Sequence, residues 1–281
     1  MNEFTRSIER TELAESRDNN LFKPANVKLQ SFKLRYSHPY DSRFLRHLYD
    51  EVLKVIRAGG YRNLVFIGSG SGNEAAYIRA HYPACKKCVV TDLSEFELRL
   101  IPAVFRNYGA AQPDLVFSCS FNNLAFSPRA RAFCAVAFLC LHHCNRIDAL
   151  VSSLTETFEN VIIVEPTTNP FLNFLARLNL ARRAEGEGAG YRPDRLTRKS
   201  FAALPRSIQI RSKTFLWLPR DYMPFISHRQ QVVFDHQKMG PEKYLGRFFA
   251  EAQLILNFFL RCLGFGNFML VHLSHKPESK G

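Results

Sequence analysis

The sequence predicts an α/β fold built on a doubly wound, largely parallel sheet. Three observations carry that expectation. Short, continuously apolar segments alternate with helix-like ones from about residue 62 onward, as strands do when crossover helices cover both faces of a sheet. A glycine-rich turn, Gly68-Ser-Gly-Ser-Gly72, directly follows the first apolar segment. The composition, 46% hydrophobic and 22% charged over 281 residues, is that of a folded chain and not of a disordered one.

Residues 1–60 read as an N-terminal extension or cap that ends in a helix near Asp41–Ala58, and 61–281 as the main domain. Asn63–Ile67 is the first strand, ended by Gly68, and Asn73–Ala80 the helix after it. Cys88–Thr91 is the second strand. Ser94 and Glu97 then stand at capping-box spacing and open a helix toward Tyr108, which Pro102 kinks or divides. Leu115–Ser118 is the third strand, Phe133–Leu141 the fourth and Val161–Val164 the fifth, with Asn145 placed to cap a helix running to Phe158.

After Pro166 the pattern changes. Phe171–Arg183 reads as helix, Glu185–Gly190 as a loop, and Ile208–Leu218 as a strand with Ile208, Ile210 and Phe215 among its apolar positions. Residues 219–265 form a helical insertion or lid before the last strand, Phe268–Leu273. Within that insertion a helix starts at Pro241 and carries Leu245, Phe248, Ala252, Ile255, Phe259 and Leu263 on one face. A stripe of this kind is expected to pack on the sheet. Phe249, Leu256 and Leu260 fall outside it and are assigned to an acceptor pocket, a partner subunit or a membrane surface.

The first twenty residues alternate in charge and contain no apolar core of a secretory signal. The longest apolar run, Ala132–Leu141, has ten residues, half of what a membrane span needs. The chain therefore reads as cytoplasmic and soluble. Seven cysteines, an odd number, do not suggest a disulfide framework. Cys85-x2-Cys88 and Cys140-Leu-His-His-Cys144 have spacings that zinc uses. Both lie in or beside apolar segments, where free cysteine behaves as a small hydrophobe, so no metal is expected.

The glycine turn is the strongest local signal. A strand, a glycine-rich turn and a helix bring backbone N–H groups close to a ligand, because no Cβ blocks the approach. Asp92 ends the second strand twenty residues after Gly72, where an acid can accept from both hydroxyls of a ribose. The third glycine of a dinucleotide fingerprint would fall at position 73, which is Asn73. The spacing is GxGxG.

At these residues the chain resembles the class I S-adenosylmethionine-dependent methyltransferases, in particular those acting on small molecules and lipids. LVFIGSGSG (64–72) resembles their first motif, VVTDLS (89–94) the second-strand acid, and CSFNNLAF (119–126) the segment beside the adenine. LCLHH (139–143) is similar to the fourth-strand motif and VIIVEP (161–166) to the end of the fifth strand. The resemblance implies a Rossmann-like seven-stranded sheet whose last two strands form an antiparallel hairpin. It also implies that S-adenosyl-L-methionine is held by Gly68, Ser69, Gly70, Gly72, Asp92, Leu93, Ser120, Phe121 and Leu139. Three acids usual in the family are replaced, by Phe66, Ser120 and Phe133.

Methyl transfer to a hydroxyl needs a general base within hydrogen-bond reach, and histidine is suited to that role near neutrality. The candidates are His143 and His142 at the end of the fourth strand, of which His143 is favoured as pointing into the site, and His38 in the extension; His228 and His236 lie in the insertion. Glu165, at the end of the fifth strand, is placed to order the floor of the site.

The chain carries 38 Lys+Arg against 25 Asp+Glu, a net charge of +13. Between Arg177 and Lys213 ten basic residues face only Glu185, Glu187 and Asp194, a net +7. Such a run is either a solvated face or a means of recognising an acidic acceptor. No nucleic-acid module accompanies it, so a small-molecule acceptor ranks above RNA or DNA. The reading is methylation, at oxygen, of a small apolar or aromatic acceptor with a negative end. Its alternatives are a methyltransferase-fold protein that binds without transferring, and below that an RNA methyltransferase. It leaves room for a homo-oligomer and for peripheral membrane contact.

Overall fold

The computed structural model describes residues 39–119, 128–144, 147–167, 174, 196–217, 242–260 and 266–276. Five parallel strands, β1 (Asn63–Ile67), β2 (Lys87–Asp92), β3 (Leu115–Ser118), β4 (Cys134–Phe138) and β5 (Asn160–Pro166), are followed by β6 (Ile208–Phe215) and β7 (Phe268–His275). They form one seven-stranded sheet in the order β3-β2-β1-β4-β5-β7-β6. β7 lies antiparallel to both β5 and β6, so the C-terminal hairpin is present. It follows that β6 runs parallel to β5, and its carboxyl end lies on the same edge as those of β1–β5.

Leu64 to Ile67 of β1 and Val161 to Val164 of β5 are buried without a break, which is why these strands carry no polar alternation. One face of the sheet is covered by α1 (Pro39–Gly59), α2 (Asn73–His81) and α4 (Ile101–Asn107). Leu48, Val52 and Ile56 of α1 pack there with Phe66, Ile78, Ile101 and Phe105. On the other face α5 (Ile147–Thr157) contributes Ile147, Leu150, Val151 and Leu154 against Val65, Ile67, Ile163 and Val271. Ser94 caps the short α3 (Glu95–Leu98) by accepting from the Glu97 N–H. Pro102 sits in the first turn of α4, where its missing N–H costs nothing; the expected helix toward Tyr108 is thus divided in two.

Two expectations are corrected. The fourth strand stops at Phe138, short of Leu141. Leu139 adopts φ +52°, the only positive φ outside glycine among the described residues, and turns the chain out of the sheet. Leu141–His143 follow as a 3₁₀ turn. The apolar run continues because that turn is itself buried, at Cys140, Leu141 and Cys144.

The second correction concerns α6 (Glu242–Leu260). The stripe expected to pack on the sheet faces outward: Phe248, Ile255 and Phe259 are 65%, 63% and 63% exposed. The buried side is Gly246, Ala250, Gln253 and Asn257, with Phe249 packed against the core. The reason is hydrogen bonding. The Asn257 carbonyl oxygen accepts from the Leu216 N–H at 2.7 Å, and the Gln253 amide donates to the Leu216 carbonyl at 3.3 Å. Gly246 and Ala250 are buried on this side, and α6 packs along α1, where Arg43 Nε meets Glu251 Oε1 at 2.5 Å. Polarity on a buried face served the backbone at the end of β6, and hydropathy periodicity alone pointed to the wrong side.

The helix expected over Phe171–Arg183, the loop Glu185–Gly190 and the cap Asn145 lie outside the described residues, apart from Phe174. The insertion 219–265 is described only over α6.

Candidate active site at the carboxyl ends of β1 and β4

The chain runs outward from β1 to β2 and β3, then returns to place β4 on the other side of β1. Open sheets of this kind bind ligands at such a reversal, beyond the carboxyl ends of the strands. Two turns meet there, Gly68–Gly72 after β1 and Leu139–His143 after β4.

Gly68, Gly70 and Gly72 have φ of +61°, +53° and +79°, values that L side chains rarely adopt. Gly72 serves packing: a Cβ there would stand 3.3 Å from Ile101 Cγ1 and from Phe105 Cε2. Gly70 is different, because a Cβ on it would meet nothing within 4 Å. The backbone at Gly70 is therefore bare on the side where a ligand would lie. The turn is held from β2, where the Thr91 carbonyl accepts from the Ser69 N–H at 3.0 Å. Asp92 Oδ2 accepts from the Gly70 N–H at 2.6 Å, and its Oδ1 from the Ser94 N–H at 2.8 Å. Burial raises the Asp92 carboxyl above its ordinary value, against the N–H groups of Ser94, Gly70 and Leu93 that favour its anion. The carboxylate keeps acceptor capacity beyond these N–H groups for a hydroxyl.

Beneath the turn lies a second acid. Glu74, in the first turn of α2, accepts from the Ser69 hydroxyl and is almost wholly buried. Desolvation lifts its carboxyl to about 7, with nearby Asp92 adding to the rise. Sequence reasoning passed over Glu74. The available signal was an acid at the amino end of a helix that follows a glycine turn. Phe66, where the family's first-strand acid is usual, is fully buried in the core with Val90 and Val136.

The β4 turn is organised by Glu165, which has no exposed surface. Its Oε1 accepts from the N–H groups of Cys140 and Leu141 at 2.5 and 2.6 Å, and its Oε2 meets His142 Nδ1 at 2.7 Å. Glu165 thus holds the turn after β4. Leu139 N–H donates to the Val164 carbonyl at 2.7 Å, which fixes its strained conformation to β5.

Of the expected site residues, Gly68, Ser69, Gly70, Gly72, Asp92, Leu93, Leu139 and His142 gather at this edge. The backbone of His143 belongs to the same 3₁₀ turn, while its side chain is outside the described residues. Ser120, Phe121, His38, His228 and His236 also lie outside them. The cysteines of the two zinc-like spacings, Cys85, Cys88, Cys140 and Cys144, are free and buried. Burial pushes the Cys144 thiol up to about 12, which suits packing and not reaction. Among the described residues no cluster of three or more His, Cys, Asp or Glu is placed to hold a metal.

No family model and no curated protein matches the sequence. Solved structures do match the fold. The methyltransferase domain of bacterial CtHen1-C is 13% identical, over 82% of this chain and 97% of that one, with a TM-score of 0.50. The plantazolicin methyltransferase BpumL in complex with SAH is 14% identical, over 94% and 92%, with a TM-score of 0.50. With its 3-2-1-4-5-7-6 sheet, antiparallel β7 and glycine turn after β1, the chain has the fold of the class I S-adenosylmethionine-dependent methyltransferases.

Proposed function

We propose that the protein binds S-adenosyl-L-methionine at the β1/β4 edge and transfers its methyl group to a small apolar or aromatic acceptor with a negative end, at oxygen. The observation that carries this reading is the bare backbone of Gly70, locked to the Asp92 carboxylate by a 2.6 Å hydrogen bond. A glycine turn and an acid so coupled fit an adenosyl group: the carboxylate accepts ribose hydroxyls and the bare turn admits the chain that carries the sulfonium. Gly68, Ser69, Gly72, Leu93 and Leu139 line the same edge, and Ser120 and Phe121 complete the set by resemblance. The cofactor, when bound, supplies an activated methyl group.

The protein's share is alignment, exclusion of water and removal of one proton from the acceptor. His142, whose ring is bonded to Glu165, takes the last task in this reading. When Nδ1–H donates to Glu165 Oε2, Nε2 becomes the nitrogen that takes a proton. The other two candidate bases are its neighbour His143 and His38 of the extension 1–60. The basic run Arg177–Lys213 supports an acceptor with a negative end.

The direct test measures release of S-adenosylhomocysteine from S-adenosylmethionine with anionic aromatic and lipid-like hydroxyl compounds. Turnover is expected with the wild-type protein, and none with Gly70→Arg, whose side chain fills the open space over the turn. A second reading, binding without transfer, is favoured by Phe66 in place of an acid. It predicts cofactor binding with no release for any acceptor.

A further inference from the structure

We infer that the outward face of α6 is a docking surface for an anionic lipid membrane. Phe248, Ile255, Phe258 and Phe259 are 65%, 63%, 67% and 63% exposed, with Leu245 and Leu256 beside them. At about 200 Å² for a large side chain, the first four expose roughly 500 Å² of apolar surface, the size at which a patch marks an interaction site. Tyr244 and Ala252 continue the face without a charge. Its one carboxylate, Glu251, is committed to Arg43. The opposite side is buried against α1 and bonded to Leu216, so α6 is anchored with its apolar side turned out. A helix lying in a membrane interface is held in this orientation.

Charge selects lipid over a second copy of the chain. The protein carries +13 overall, while α6 itself is balanced, Lys243 and Arg247 against Glu242 and Glu251. Two copies of so basic a chain repel each other, whereas anionic headgroups attract each of them. Position fits as well. Leu216 follows the carboxyl end of β6, on the edge where the Gly68–Gly72 turn lies, so α6 is anchored at the same edge as that turn. The inference does not depend on methyl transfer.

The test is co-sedimentation of the full chain with vesicles of phosphatidylcholine alone and of phosphatidylcholine with phosphatidylserine. Binding is expected to the second kind, weakening as salt is raised. The double variant Phe248→Gln, Phe259→Gln adds no charge and keeps helix propensity. Loss of two rings from the interface is expected to lower its partition into vesicles by at least about tenfold. Its melting temperature and monomeric mass in solution stay unchanged. Phe248→Asp, Ile255→Asp is expected to abolish binding. Three results overturn the inference: no sedimentation of the wild-type chain with the anionic vesicles, equal binding by the double glutamine variant, or a wild-type dimer that the variant dissociates. The last would identify a second copy as the occupant. A large drop in melting temperature in both variants would also overturn it, since the face would then be covered by the chain itself.

Discussion

Glu74→Gln isolates the effect of a buried acid under the glycine turn. Burial lifts the Glu74 carboxyl from its ordinary 4.5 to about 7. Below pH 4.5 the carboxyl is protonated in both the folded and unfolded chain and adds no pH dependence. Between about 4.5 and 7 the unfolded chain releases this proton while the folded chain keeps it, so stability falls as pH rises. The rise from 4.5 to about 7 corresponds to about 3 kcal/mol lost by pH 7, with little further change above it. Glutamine is nearly isosteric, retains a hydrogen bond to Ser69, and does not titrate. Urea unfolding of both proteins from pH 4.5 to 8 therefore shows the variant gaining on the wild type, by up to about 3 kcal/mol at pH 8. Asp92, also raised by burial, is present in both proteins, and its coupling to Glu74 is part of the difference measured. A difference that stays constant across this range would refute the reasoning.

Gly72→Ala and Gly70→Ala both force alanine to a positive φ, at about 1–2 kcal/mol. Only the former also presses on Ile101 and Phe105, so thermal unfolding should rank it lower by about 1 kcal/mol or more. Phe44 stacks on Trp217 with ring centroids 4.1 Å apart; Phe44→Ala should cost about 3–5 kcal/mol and change the fluorescence of the chain's one tryptophan. Glu165→Ala strands the Cys140 and Leu141 N–H groups and should destabilise by at least about 2 kcal/mol in denaturant. Glu165→Gln is the milder probe: with His142 as the base, it should lower turnover while leaving cofactor affinity within about twofold, because the carboxylate holds the imidazole and not the glycine turn.

The parallel strands were legible because burial on both faces leaves a continuous apolar run, as in NLVFI and VIIV. The Gly68–Gly72 turn and Asp92 were legible because their chemistry is local: a bare backbone and an acid at a fixed distance along the chain. Three things were not. The end of β4 is set by the conformation of Leu139, a residue with no turn propensity of its own, and by Glu165, twenty-odd residues later. The buried face of α6 is polar because Asn257 and Gln253 serve the backbone of Leu216, a contact across some forty residues that hydropathy does not register. Glu74 looked like an ordinary acid at a helix start, and only the depth of the Ser69 turn makes it unusual.

The measurement that tests the account most directly is calorimetric titration of the wild-type chain and Asp92→Ala with S-adenosylmethionine. Removing the carboxylate that locks Gly70 and that is proposed to accept from the ribose should cost about 1.5–3 kcal/mol, or roughly 10- to 100-fold in affinity. The account predicts saturable binding to the wild-type chain and a loss of that size in the variant. No heat of binding at millimolar cofactor, or equal affinity in the two proteins, would contradict it.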